Sequence, residues 1–178
     1  MTSRAVLAVI AAALIFGAIG YYYGISDPTE EPYAAPATIA TVAAVPPSCR
    51  ALATLTYDAT ATPPLSVSPK PITVFYPSAN RDKWAVCWTL VVKGDNADPF
   101  SEIRLTGVSD VAGQGGQPVL KGDTNFKGRQ IVSAFFNDEP DWGTADEILV
   151  SYGINAKLRG STTYLSYDPD IVIQKPGG

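Results

Sequence analysis

Residues 84–92 read WAVCWTLVV, and the reading of this stretch decides the fold. Trp, Val, Thr and Leu crowd into nine residues with no charge, and Gly, Pro, Asn and Asp lie in the segments around them. β-Branched and aromatic side chains suit a pleated, half-buried surface, so the stretch predicts a strand deep in a sheet. The same signature recurs outward in both directions. ALATLTY (51–57), ITVFY (72–76), EIRLTGV (102–108), QIVSAFF (130–136) and EILVSYGI (147–154) carry it, and TTYLSY (162–167) and DIVIQ (170–174) carry it more weakly. Turn-forming clusters separate these runs, so residues 49–178 are expected to form an antiparallel β-sandwich, immunoglobulin-like or similar, of about six to eight strands. An immunoglobulin domain proper sets its Trp between two cysteines on opposite sheets. Here Trp84 precedes the second Cys and no Tyr lies two residues ahead of it, which departs from that pattern.

Cys87, inside the opening stretch, has one possible partner, because Cys49 is the only other cysteine. If both lie outside the cytoplasm, the oxidising compartment favours a bridge between them. Two reduced buried thiols are the alternative, and Trp84 and Trp88 are expected to pack around either form.

The compartment is set at the other end of the chain. From Ala5 to Ile25 there are 21 residues without a charge, which as a helix would be roughly 31 Å long and match a bilayer core. Arg4 precedes the run, and Asp27, Glu30 and Glu31 follow it. The positive-inside rule then places the amino terminus in the cytoplasm and the β domain in the periplasm or outside, as a single-pass protein of the inner membrane. Tyr21, Tyr22 and Tyr23 fall at the outer end, where amphipathic rings suit the lipid headgroups. Residues 1–25 are therefore expected to be a retained transmembrane anchor in the lipid bilayer. A cleaved signal is the competing expectation, since Ala18-Ile19-Gly20 has the small-x-small form that signal peptidase accepts. Ala13, Gly17, Gly20 and Gly24 share one helix face, and such a small-residue seam lets a second helix approach closely. Residues 26–48 contain five prolines and read as an extended linker.

Composition narrows the chemistry. The chain has no histidine, which excludes Ser-His-Asp and Cys-His catalysis and His-ligated zinc or haem. A net charge of −4 with scattered Lys and Arg offers nucleic acid no basic stripe. No cofactor and no metal are expected. Residues 137–147, NDEPDWGTADE, place five carboxylates around Trp142. Asp138, Glu139, Asp141 and Trp142 are a candidate partner-docking loop, and a solvated connection between two strands has the same composition. Ca²⁺ is the other ligand such carboxylates could take, although the spacing of an EF-hand loop is missing. Asp95, Asn96 and Asp98 form a weaker oxygen cluster that also suits an ordinary turn. The glycines of 107–118 lack the Gly-Lys-Ser/Thr ending of a phosphate loop and read as a flexible connection.

These features favour a non-catalytic accessory subunit of a larger membrane complex, photosynthetic or respiratory, held by its helix against other membrane subunits. The alternative is a secreted or tethered module that binds a glycan or peptide through exposed aromatics such as Trp142, Tyr76 and Tyr152.

Overall fold

A computed structural model of the protein describes residues 44–96 and 98–177. The expected anchor, the Ala13–Gly17–Gly20–Gly24 seam, the Tyr21–Tyr23 cluster and most of the linker lie outside the described residues. Among the described residues no helix is long and apolar enough to cross a membrane.

The domain is mainly β. Its strands are β1 (Cys49–Tyr57), β2 (Leu65–Ser68), β3 (Ile72–Phe75), β4 (Ala85–Val92), β5 (Phe100–Thr106), β6 (Leu120–Lys121), β7 (Ile131–Phe136), β8 (Glu147–Ser151), β9 (Gly153–Leu158), β10 (Tyr164–Tyr167) and β11 (Asp170–Gln174). One 3-10 turn, Arg81–Lys83, leads into β4. The opening stretch becomes β4, in the middle of a five-stranded sheet of order β2-β1-β4-β7-β6. Both faces of β4 are covered from Ala85 to Thr89, which is why apolar residues occupy every position there except the last.

The other strands form two three-stranded sheets, β10-β9-β5 and β3-β11-β8. These two are ends of one hairpin. Val150 faces Ile171 and Ile154 faces Tyr167, so β8–β9 and β11–β10 keep a single register throughout. The Tyr152 N–H donates to the Pro169 carbonyl at 3.1 Å, but Pro169 has no N–H to return the bond, and the ladder is interrupted there.

Two expectations are corrected. The sheets are mixed, because β1 runs parallel to β4 and β3 parallel to β11. There are also eleven strands among the described residues, more than expected. β2 carries no strand signature of its own because Pro63, Pro64, Pro69 and Pro71 surround its four residues; prolines are tolerated there since β2 is an edge strand. β6 has only two residues, too short for any periodicity.

One apolar cluster takes residues from all three sheets, including Leu55, Val86, Trp88, Leu105, Ile154 and Ile171. Aromatic pairs cross between sheets. Tyr57 meets Phe100 edge-on at 4.9 Å between ring centres, and Trp88 meets Tyr152 at 5.5 Å. The Trp88 Nε1–H also donates to the Tyr152 hydroxyl at 2.8 Å, which satisfies the one polar atom of the indole inside the core.

The expected bridge is present. Cys49 and Cys87 are joined, with Cα atoms 5.7 Å apart. It links the neighbouring strands β1 and β4 within one sheet, whereas an immunoglobulin bridge spans two. The side chain of Trp88 is in the shared core on the opposite face of β4 from Cys87, so it does not pack around the bridge as expected.

Candidate functional site

A shallow pocket of about 360 Å³ opens where two connections meet the segment that follows β11. The β3–β4 connection supplies Pro77, Ser78, Ala79, Asn80 and Arg81; the β7–β8 connection supplies Glu139; Pro176, just beyond β11, closes the third side. The sequence builds this rim locally. The Tyr76 N–H extends the β3–β11 ladder by bonding the Gln174 carbonyl at 2.8 Å, which holds the two strand ends together. Asn80 then turns the chain with φ of 50°, a left-handed conformation that Asn tolerates better than most residues. The 3-10 turn that follows presents Arg81 to the rim.

Beneath lies an aromatic floor. Tyr76 is buried, and its ring meets Phe136 at 5.4 Å and Trp142 at 6.0 Å, both edge-on. Its hydroxyl accepts a hydrogen bond from Arg81 Nη1 at 3.3 Å. Burial pushes the Tyr76 hydroxyl above its ordinary pKa, and the Arg81 bond opposes that shift. Arg81 is held above its own ordinary value, first by that bond, while Asp138 and Glu139 add to the effect. No described carboxylate lies within 4.0 Å of the guanidinium, and the Glu139 carboxylate accepts no hydrogen bond from a described residue. Arg81 and Glu139 therefore share the pocket within electrostatic reach of each other but without a contact ion pair.

The candidate docking loop divides into parts with different tasks. Glu139 lines the pocket. Asp138 is committed elsewhere: its Oδ2 accepts from the Gly115 N–H at 2.7 Å and the Gln117 N–H at 3.2 Å, and its Oδ1 from the Glu139 N–H at 2.9 Å. Partial desolvation would raise its pKa, but the three backbone donors and the Arg81 charge outweigh it and hold the carboxyl below its ordinary range. Asp141 accepts from the Gly143 N–H at 3.2 Å, a local turn. Trp142 is buried against the ring of Tyr76 and does not line the pocket, so it is not a surface residue for a partner.

The glycine-rich segment is therefore pinned, which corrects its reading as a flexible connection. Gln114 donates from its N–H to the Glu139 carbonyl at 2.7 Å and from Nε2 to the Pro140 carbonyl at 3.0 Å. A Cβ on Gly113 would fall 2.8 Å from the Asp138 Cβ, closer than side-chain carbons approach, so only glycine allows the two loops to lie together. No feature of the sequence pairs Asp138 with donors more than twenty residues earlier; the Gly113–Gly116 run was the available clue.

The three aromatics expected to be exposed for ligand binding are buried: Tyr76, Trp142 and Tyr152. The exposed large apolar side chains include Phe75 and Leu149, which share the outward face of β3 and β8, and Tyr164. Asp98 bonds Arg159, and its N–H donates to Asn96 Oδ1 at 3.2 Å, so that cluster is a turn. Among the described residues no group of three or more His, Cys, Asp or Glu is placed to hold a metal ion. The chain matches no known family model, and no curated protein resembles it in sequence.

Proposed function

We propose that the protein is a non-catalytic accessory subunit of a larger membrane assembly, photosynthetic or respiratory. Residues 5–25 anchor it in the inner membrane with the amino end in the cytoplasm, and the β domain docks partner subunits on the outer side. The observation that carries the docking part is the pocket, where Arg81 and Glu139 stand without a contact ion pair beside buried Tyr76, whose ring packs edge-on against Trp142. A preformed pocket with a few convergent polar groups recognises a ligand at low ordering cost. The disulfide supports the outer location, because such bridges persist in oxidising compartments.

The domain itself is proposed to be an immunoglobulin-like sandwich with one added strand. The run β4-β7-β6 corresponds to strands B, E and D, and β5-β9-β10 to C, F and G. β1 is inserted between β2 and β4 and is fastened by the Cys49–Cys87 bridge. In this scheme the Trp88–Tyr152 pair joins B to F, where an antibody domain has its disulfide. The alternative, a tethered module for a glycan or peptide, loses its three proposed aromatics to the core and keeps Tyr164 as an exposed ring.

Gentle detergent extraction tests the reading. The full chain should co-purify with stoichiometric membrane partners, and Arg81→Gln with Glu139→Gln should weaken that retention while the domain stays folded. If the wild-type chain is extracted alone, it is not a complex subunit.

A further inference from the structure

We propose that β8 is a dimerisation edge: two copies of this chain pair their β8 strands antiparallel about a two-fold axis at Leu149, which joins their β3-β11-β8 sheets edge to edge. β8 is the outermost strand of its sheet, with β11 on one side only. Two bonds fix the direction of its backbone groups. The Lys175 N–H donates to the Asp146 carbonyl and the Tyr152 N–H to the Pro169 carbonyl, and both pairs continue the β11–β8 register. Bonded and non-bonded pairs alternate along an antiparallel ladder. Ile148 and Val150 therefore bond β11, while Glu147, Leu149 and Ser151 turn their N–H and C=O groups to the free side. β5 flanks β9 on that side as far as the Thr106–Gly153 pair. Gly107 then closes the Ser151 end, since a Cβ there would lie 3.3 Å from the Ser151 carbonyl. The five residues of β8 are left as an open slot.

The molecule guards its other edges. β2 lies between prolines, β3 starts directly after Pro71, and β6 has two residues. The outer side of β5 is covered by Thr124 and Phe126, which bond Leu105 and Ile103, and Lys70 lies over the Tyr167 ring of β10. β8 contains neither Pro nor Lys, the usual guards of an edge strand. Leu149 at its centre is 57 % exposed and stands beside Val172 on the outer face. The slot fits a second copy of itself. With the axis at Leu149, Glu147 falls opposite Ser151 of the second copy at both ends, so no like charges face each other and the whole strand is paired. An axis at Glu147 would oppose two carboxylates. An axis at Val150 would set Glu147 against Gly153, whose edge Thr106 already holds. The chosen register brings the two Leu149 side chains together, with a Val172 on either flank, and removes that apolar stripe from water.

Cysteine cross-linking of the full chain, in its membrane and again in mild detergent, tests the register. Residues opposed in a bonded antiparallel pair have Cα atoms about 5.5 Å apart, within disulfide range. Leu149→Cys should therefore give a disulfide-linked dimer under mild oxidation. Glu147→Cys and Ser151→Cys should each stay monomeric alone and cross-link to each other when the two chains are co-expressed. Phe75→Cys, at a side chain 63 % exposed but on the far strand of the sheet, should stay monomeric. Adding Leu149→Lys to the Glu147→Cys and Ser151→Cys chains should cut their cross-link by about tenfold, since it opposes two charges at the axis and removes the apolar contact. The melting temperature of the domain should not change, because this side chain faces water in the single chain. A Leu149→Cys chain that stays monomeric, self-linking by Glu147→Cys, or equal cross-linking by Phe75→Cys overturns the proposal. So does a cross-link left intact by Leu149→Lys. A Leu149→Cys cross-link to a different polypeptide in the membrane also overturns it, and gives the edge to that chain.

Discussion

Tyr152 and Tyr76 both offer a phenol oxygen to a nitrogen donor, and they do opposite work. Tyr152 sits in the core, where the neutral indole of Trp88 donates to it at 2.8 Å. Burial pushes its hydroxyl up to about 12, because a phenolate there would have lost its water. Tyr76 is equally hidden as a residue, yet its hydroxyl reaches the rim and accepts from the charged Arg81 at 3.3 Å. The first pair has no atom left over for a ligand and serves to hold two sheets together. The second leaves a guanidinium with spare donors at the surface. The same functional group thus marks stability where its partner is sealed, and recognition where its partner faces water.

The comparison can be broken most forcefully at Trp88. Trp88→Ala should cost about 3–5 kcal/mol, since it leaves a large cavity between the sheets and strands the Tyr152 hydroxyl. Urea unfolding measures this, and a loss below about 1 kcal/mol would mean the pair does not join the layers as described.

Alkaline titration separates the two tyrosines. A folded pKa raised above the ordinary value gives stability that is intact below about pH 10 and lost as pH climbs toward the folded value. For Tyr152, raised from 10.0 to about 12, the loss is on the order of 2–3 kcal/mol across that window. Tyr152→Phe should remove this part of the alkaline loss while lowering stability at neutral pH by about 1–3 kcal/mol, because the Trp88 N–H is left unpaired. Tyr76→Phe should cost about 1 kcal/mol or less, since exposed Arg81 recovers its bond from water. Equal effects from the two substitutions would erase the distinction.

The smallest effect is expected on the acid side. Asp138, held below its ordinary range, contributes stability above about pH 4 that is lost as pH falls through its folded value. Asp138→Asn should flatten that acid loss and loosen residues 113–117, seen as faster amide exchange at Gly115 and Gln117. Unchanged exchange there would show that the carboxylate does not pin the loop.

Much of the strand set was legible because its signal is local. β1, β3, β4, β5, β7 and β11 each carry their own β-branched and aromatic pattern, bounded by turn residues, and all lie close to where the sequence puts them. β2 was not legible, since four residues among prolines carry no recognisable pattern. The disulfide was legible by count, because two cysteines allow one pairing. That it fastens adjacent parallel strands was not, as parallel pairing depends on a crossover that no short window contains.

The site followed the same division. From the sequence alone came Glu139 and its acidic neighbours as a candidate, and the absence of histidine as a limit on chemistry. Tertiary structure alone decided that Trp142 and Tyr76 are buried, that Asp138 is committed to backbone donors, and that Arg81 and Glu139 line one pocket. Composition and periodicity are summed over neighbours in the chain, so they report which segments can form strands. Burial, pairing and the distance from a charge to its nearest opposite are set by residues far apart in sequence, and those exist only once the sheets have packed.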